Sequence, residues 1–376
     1  MKRILTSVIF ARSGAMALVL AVALVTGCAP RAELVDYPAT NEIESLPVYI
    51  ATTRARDASG DFGAGRKSDP SYLRYDITVP PDRPPGKILF PNGRIDPQRQ
   101  FLATARTEFE TASAFQTSLG RHIRKVSPRE REAVIFVHGY NNNFAEGVLR
   151  LSQLIDDFGG GGAAIHYSWP SAGNALAYEY DQQSVLFARD GLESLIKQVR
   201  RAGARRVVIV AHSMGAMLAM EALRQIDIAS PGSASRLVDG VVLLSAHISV
   251  DVFKSQLARL EPLPQPFLVF VSRRDRALLL AGRISGEKEL VGNMENYDAL
   301  RGFDLTVLDV SQFSEGIGHF SQGDSPTLLK FMANLPELRQ AFDGDRSARS
   351  GLLSGVVLTV QNAAEIIVTP VTRLTQ

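Results

Sequence analysis

The stretch Val207-Val208-Ile209-Val210-Ala211-His212-Ser213-Met214-Gly215 decides how the rest of the chain is read. Its first four residues are β-branched and apolar, as a buried strand favours, and residues 216–226 continue at helical spacing. Strand, sharp turn and helix therefore follow one another within a few residues. Residues Ala211 to Gly215 also fit the spacing G-x-S-x-G, with alanine at the first glycine position. The spacing has a steric cause: a serine held in a strained turn brings the residues two before and two after it into close approach, so both must be small. A serine that merely caps a helix after a strand is the plainer alternative.

The pattern around this element repeats. Val/Ile/Phe-rich runs at 134–137, 163–168, 207–211, 241–246, 267–272 and 305–310 alternate with helix candidates at 144–158, 183–201, 214–226, 251–260 and 325–332. Such alternation predicts an α/β fold, a mostly parallel central sheet with helices on both faces and its chemistry at the strands' carboxyl ends. Upstream, 48–53 and 72–79 read as antiparallel N-terminal strands around a Gly-, Asp- and Ser-rich loop at 54–70. Prolines 80, 81, 84, 85, 91 and 97 then stop regular structure until about residue 100. Only residues 247–266 separate the two strands after the elbow strand, which leaves room for one short helix and predicts a small cap or none. Any cover over the cleft is expected from the proline-rich segment before residue 100 or from residues 278–302.

Composition narrows the function classes. Of 376 residues 45% are hydrophobic and 21% charged, values that exclude wholesale disorder, collagen and polytopic membrane proteins. The formal net charge is +2, but Lys2, Arg3 and Arg12 are the only charges before Cys28, so without that segment 38 basic residues face 39 acidic ones. No basic surplus remains to collect phosphates, and nucleic-acid binding loses its main signature.

That first segment reads as an export signal. Residues 1–12 are short and basic, and 15–26 are apolar or small but too few to span a bilayer, which takes about 20 residues. Val25-Thr26-Gly27-Cys28 resembles a bacterial lipobox, in which the cysteine is acylated and becomes the first residue of the mature protein. Cys28 is the single cysteine, so no intramolecular disulfide can form, and lipidation explains both its presence and its solitude. By the same resemblance, Ala29 after it favours the outer membrane of a two-membrane bacterium, facing the periplasm. The predicted organisation is a signal peptide at 1–27, a tether at 28–46, the α/β domain at 47–340, a linker at 341–350 and a tail at 351–376. Leu352, Val356, Val360, Ala363 and Ile367 in that tail fall at helical spacing, which predicts an amphipathic helix docked on the domain, with membrane-surface or partner binding as the other readings.

A serine hydroxyl is a weak nucleophile until a base takes its proton. Where the serine stands on a strand–helix elbow, the chain order is Ser, acid, His. Of the six histidines, His122, His138 and His166 precede the elbow, His212 is its own variable position, and only His247 and His319 follow. His247 comes too early for an acid to intervene, so His319, in Gly316-Ile317-Gly318-His319-Phe320 just past the last predicted strand, is the candidate base. Asp275, directly after the strand at 267–272, is the candidate acid, with Asp251 one strand earlier as the fallback. Two amides are needed for a tetrahedral oxyanion. Met214 N–H follows the serine at a helix N-terminus, and Tyr140 N–H is the second choice, from His138-Gly139-Tyr140-Asn141 after an early strand. A simple turn with an asparagine helix cap is the alternative there. Trp169, the sole tryptophan, and Tyr178 with Tyr180 are candidates for a substrate pocket, though core packing suits each better.

With these residues in view, the chain resembles an α/β-hydrolase. It is specifically similar to a family of uncharacterised bacterial esterase- and lipase-like hydrolases bearing V-F-V-H-G-Y-N, W-P-S-x-G, A-H-S-M-G and S-R-x-D-x-A-L blocks. Here these stand at 135–141, 169–173, 211–215 and 272–278, and the similarity runs over roughly residues 46–335. The resemblance implies the fold and a Ser213-His319-Asp275 triad that cleaves a small-molecule or lipid ester, with the membrane met through Cys28. No organic cofactor or metal is expected, since no His/Cys/Asp cluster has metal-ligand spacing. A lipid-anchored acyltransferase with the same triad, or a non-catalytic envelope scaffold, would leave the same sequence pattern.

Overall fold

The computed structural model describes residues 31–40, 43–90, 94–159, 162–287, 289–313, 319 and 325, together with the backbone of 356–362 and 365–370. Eleven strands are described: β1 (Ser45–Arg56), β2 (Phe62–Thr78), β3 (Ala103–Phe109), β4 (Glu132–Val137), β5 (Ala163–Ser168), β6 (Arg206–His212), β7 (Gly240–Leu244), β8 (Phe267–Val271), β9 (Thr306–Asp309), β10 (Val356–Asn362) and β11 (Glu365–Pro370). They form a single sheet in the order β11-β10-β9-β8-β7-β6-β4-β5-β1-β2-β3. From β1 through β5, β4 and β6 to β10 every neighbouring pair is parallel, while β1–β2, β2–β3 and β10–β11 are antiparallel. Strands β5, β7, β8 and β9 are buried at every position, as parallel strands covered on both faces must be.

The helices are α1 (Ala112–Ile123), α2 (Phe144–Asp157), α3 (Tyr178–Arg201), α4 (Met214–Ala229), α5 (Ser233–Leu237), α6 (Val250–Leu257) and α7 (Arg276–Ser285). Each of α2, α3 and α4 turns an apolar stripe inward: Val148, Leu151, Leu192, Leu195, Leu218 and Leu223 are all buried. The chain passes from β4 to β5 on one side and then crosses back to β6 on the other, so strand order reverses at β4 and β6. In an open parallel sheet that reversal leaves a crevice beyond the carboxyl ends of those two strands. Between β7 and β8 stands one short helix, α6, as the residue count predicts.

Several expectations are corrected. The tail is not helical: β10 pairs in parallel with β9, and β11 folds back on it. The runs Val356-Val357-Leu358 and Ile366-Ile367-Val368 are rich in β-branched residues, and short apolar runs fit either period, so the β-branched content and a free sheet edge prevail. The Gly- and Asp-rich residues read as a loop at 54–70 lie mostly within a long β1–β2 ribbon, whose far end is exposed and needs no apolar pattern. Strand β3 and helix α1 carry no strong sequence signal, because β3 is an exposed strand at the sheet's edge bearing Arg106 and Glu108. Part of the tether pairs with that edge, Tyr37 N–H donating to Ala103 O at 2.8 Å and Ala103 N–H to Val35 O at 2.9 Å. Residues 1–30 with Cys28, the helix candidate at 325–332 apart from residue 325, and the linker at 341–350 lie outside the described residues.

The proline-rich segment is also placed away from the crevice. Arg83, its side chain buried, pairs with Asp156 and Asp157, and Gly86 N–H donates to Asp157 Oδ2 at 2.8 Å. Those aspartates sit at the C-terminal end of α2, whose N-terminal end is at the carboxyl edge of the sheet, so the segment is tied to the opposite edge. Removing one partner of a buried pair leaves the other uncompensated, a cost of about 3–5 kcal/mol. Arg83→Ala is accordingly expected to lower the free energy of urea unfolding by about that much, and a midpoint unchanged from wild type would show that the pair carries no such weight.

Candidate active site

Ser213 stands at the junction of β6 and α4 with φ 53° and ψ −122°, a region that costs a non-glycine residue strain. Neighbouring backbone holds it there: Ser213 N–H donates to Leu244 O at 3.0 Å, and its carbonyl accepts from Ala216 at 3.0 Å and His247 at 3.1 Å. A Cβ on Gly215 would lie 2.3 Å from His138 O and 2.5 Å from Val137 O, so the start of α4 rests directly on the backbone at the end of β4. A Cβ on Gly139 would lie 2.9 Å from Ser213 Cβ. The small residues are thus demanded from two sides, by the elbow and by the loop that crosses it.

The serine hydroxyl reaches a histidine from a distant part of the chain. Ser213 Oγ lies 3.0 Å from His319 Nε2, and His319 Nδ1 lies 2.9 Å from Asp275 Oδ2 and 3.2 Å from Oδ1. With Nδ1–H donating to the carboxylate, Nε2 presents its lone pair to the hydroxyl proton. Asp275 is fully buried and immobilised as the N-cap of α7, its Oδ1 accepting from Leu278 N–H at 3.0 Å. The structure therefore brings together the three residues picked out by chain order. The fallback acid Asp251 is exposed in the first turn of α6.

Met214 is the first residue of α4, where a helix offers its N–H no acceptor, and among the described residues neither its amide nor that of Tyr140 donates a hydrogen bond. The loop bearing Tyr140 is pinned at each end. Tyr140 Oη donates to Ala175 O at 2.6 Å, Asn141 N–H to Asp181 Oδ2 at 3.3 Å and Asn142 N–H to Ser171 Oγ at 3.2 Å. Asn143 does cap α2, accepting from Glu146 N–H at 2.8 Å, so the cap and the free Tyr140 amide coexist. Beneath the loop lies Arg54, buried, donating to Asn142 O at 2.8 Å, Ser171 O at 2.8 Å and Ser168 Oγ at 3.0 Å. Trp169 belongs to the hydrophobic core. It is fully buried, stacked on His138 at 4.9 Å, and its indole N–H donates to His138 O at 2.7 Å, which braces the loop from behind. Tyr178 does line a cavity next to Met214, whereas Tyr180 turns away and donates to Ala64 O at 2.8 Å.

A family described as alpha/beta hydrolase of unknown function, DUF900, matches residues 111–335. The chain belongs to this alpha/beta hydrolase family. Strands β1–β3 precede the matched residues. No match is found among curated proteins. Among solved structures, a hydrolase from Agrobacterium vitis S4 is similar at 16% identity over 71% of this chain and 79% of that one, with a TM-score of 0.26. A hyperthermophilic esterase from Pyrobaculum calidifontis shares 12% identity over 81% and 83%, at a TM-score of 0.34. Thermogutta terrifontis esterase 2, phosphonylated by sarin, shares 12% over 73% and 86%, at 0.29. At scores this low, the activities in those names stay with those proteins.

In this alpha/beta hydrolase two further histidines, missed by the sequence reading, flank His319. His212, at the elbow's variable position, donates Nε2–H to the His319 carbonyl at 3.1 Å, and the two rings lie 4.8 Å apart. His247 Nε2 lies 3.0 Å from Tyr178 Oη. Burial, with the His319 charge second, pushes His212 well below the ordinary imidazole range and His247 down to about 4. Both are neutral at pH 7, so neither opposes a positive charge on His319. Burial likewise lowers His166 to about 3. Among the described residues no group of three or more His, Cys, Asp or Glu side chains could hold a metal ion.

These shifts set a pH dependence. A histidine kept neutral in the fold takes up no proton between pH 6.5 and about 4, while the unfolded chain does, so stability falls as pH drops through that window. For His247 alone the loss is on the order of 3 kcal/mol. The thermal midpoint is expected to fall steadily from pH 7 to 4.5 and to fall less in His247→Asn. Identical slopes in the two proteins would assign the loss to other groups.

Proposed function

We propose that this alpha/beta hydrolase is a serine esterase in which Ser213 is the nucleophile, His319 the general base and then acid, and Asp275 the group that orients His319. The observation that carries the reading is the unbroken relay of 3.0 Å and 2.9 Å from Ser213 Oγ through His319 to Asp275 at the tip of β6. Ser213 Oγ attacks the ester carbonyl as its proton passes to His319 Nε2. The carbonyl oxygen, now an oxyanion, accepts from the Met214 and Tyr140 amides, and the N-terminus of α4 adds a favourable dipole. Collapse of the tetrahedral intermediate breaks the bond to the alkoxide, which leaves with the proton from His319. Water then attacks the acyl-Ser213 ester, gives a proton to the same nitrogen, and frees the carboxylic acid as the proton returns to Ser213. His212 and His247, both neutral, do not oppose the His319 cation, and Asp275 stabilises it.

The proposal also sets the enzyme at the bacterial envelope, anchored by acyl chains on Cys28 and facing the periplasm from the outer membrane. Its support is the sequence Val25-Thr26-Gly27-Cys28-Ala29 behind a basic and then apolar segment. More than one acyl chain would make that anchoring stable.

Two measurements test these points. The purified protein is expected to label with a fluorophosphonate and to hydrolyse nitrophenyl esters. Ser213→Ala should abolish labelling and lower turnover by on the order of 10⁶, with His319→Ala in Ser213→Ala adding little. A wild type inert to both reagents refutes the esterase. Cells fed labelled palmitate should incorporate it into the protein and not into Cys28→Ser; equal incorporation would refute the anchor.

A further inference from the structure

A cavity of about 110 Å³ opens beside the elbow, its described walls including Tyr178, Met214, Met217, His247, Val252 and Leu290. Its position relative to Ser213 follows from those walls. Met214 carries one oxyanion amide, and the Tyr178 ring stands edge-on to Tyr140, which carries the other, at 5.9 Å. Ser213, His319, Asp275 and His212 are not among the described lining residues, whereas His247 and Met214 are. In a tetrahedral intermediate the leaving oxygen must approach His319 Nε2 and the oxyanion must face the amides. The remaining substituent, the acyl chain, is left to the Met214 and Tyr178 side of the serine, where the cavity opens.

The cavity also has a size and a character. An apolar cavity of about 150 Å³ seats a benzene of six carbons, so 110 Å³ seats about four non-hydrogen atoms, well below the roughly 300 Å³ at which pockets for larger ligands begin. Of the polar groups in its wall, Tyr178 Oη contacts His247 Nε2 at 3.0 Å and accepts from Gln182 Nε2 at 3.2 Å, which also fixes the Tyr178 ring in place. Ser249 Oγ accepts from Val252 N–H at 3.4 Å and Ser285 Oγ donates to Ala281 O at 3.0 Å, while Glu287 is exposed. Met217, Val252 and Leu290 supply the apolar surface, and burial keeps His247 neutral.

We infer that this cavity is the acyl site and that it selects esters of short, apolar carboxylic acids of about two to four carbons, with Tyr178, Met217 and Val252 setting the length. The inference rests on the esterase reading above.

The test is a series of nitrophenyl esters from acetate to dodecanoate, assayed on the full-length protein beside an acetate series of lengthening alcohols. A methylene that a pocket cannot seat costs about 10- to 200-fold in kcat/KM. Wild type should peak at two to four acyl carbons and lose about tenfold or more by hexanoate, with a shallower dependence on the alcohol. Val252 is exposed, and Met217 is partly buried against the core, so fluorophosphonate labelling of each variant checks that its site stays folded. Val252→Ala and Met217→Ala should each raise the hexanoate-to-acetate ratio by about tenfold. A profile flat to dodecanoate, ratios unmoved in both variants, or a shift confined to the alcohol series would each overturn the assignment while fluorophosphonate labelling of Ser213 persists. Absence of both labelling and turnover would overturn the esterase reading and the acyl site with it.

Discussion

Everything at this site depends on one close contact, that of α4's first turn with the backbone ending β4. Gly215 has no room for a Cβ against the Val137 and His138 carbonyls, and Gly139 has none against His212 and Ser213. With the two strands in parallel register, Val137 beside Ala211, the serine is lifted out of the strand and its backbone forced to positive φ. Strain of that kind persists only when the surroundings over-determine it. Here the hydrogen bonds to Leu244, Ala216 and His247 do so, tying the elbow to β7 and to the turn after it.

From that contact the electrostatics follow. The loop that lies over the elbow is held from beneath by Arg54 and from the side by Asp181, whose carboxyl burial raises above its usual range while accepting from Ser171 and Ala172. Arg54 spends its donors on carbonyls and a hydroxyl, so a buried guanidinium acts as a rigid bracket between β1, the β4 loop and the β5 loop. His319 is treated differently. Its backbone is held by His212, its Nδ1 by Asp275, and its Nε2 is left to the serine. The neighbouring imidazoles are buried and neutral, and Asp275, the one carboxylate in contact with its ring among the described residues, is buried too, so a proton arriving on His319 meets a strong partner.

Much of the site was readable from order and spacing. Ser213, Asp275 and His319 each follow a strand in the sequence and meet at one edge of the sheet, because parallel strands place all their carboxyl ends together. Arg54, His212 and His247 were not readable. Arg54 sits at the start of a Gly- and Asp-rich stretch whose polarity suggests a loop, and its role exists only once β1 pairs with β5. His212 looks like a free choice within G-x-S-x-G until His319 is brought against it. Trp169 reads as pocket or core by composition, with core favoured, and stacking on His138 decides for the core. The tail, read at helical spacing, pairs as two strands because β9 otherwise leaves an open edge.

The sequence alone determined the α/β class, the elbow and the order of its partners, since periodicity, residue size and β-branching act locally along the chain. Only the tertiary structure decided which histidines stay neutral, which arginine braces the Tyr140 loop, where the proline-rich segment goes and how large a space adjoins Met214. Burial, close packing and cross-strand register are properties of residues far apart in sequence, and no single stretch of chain contains them.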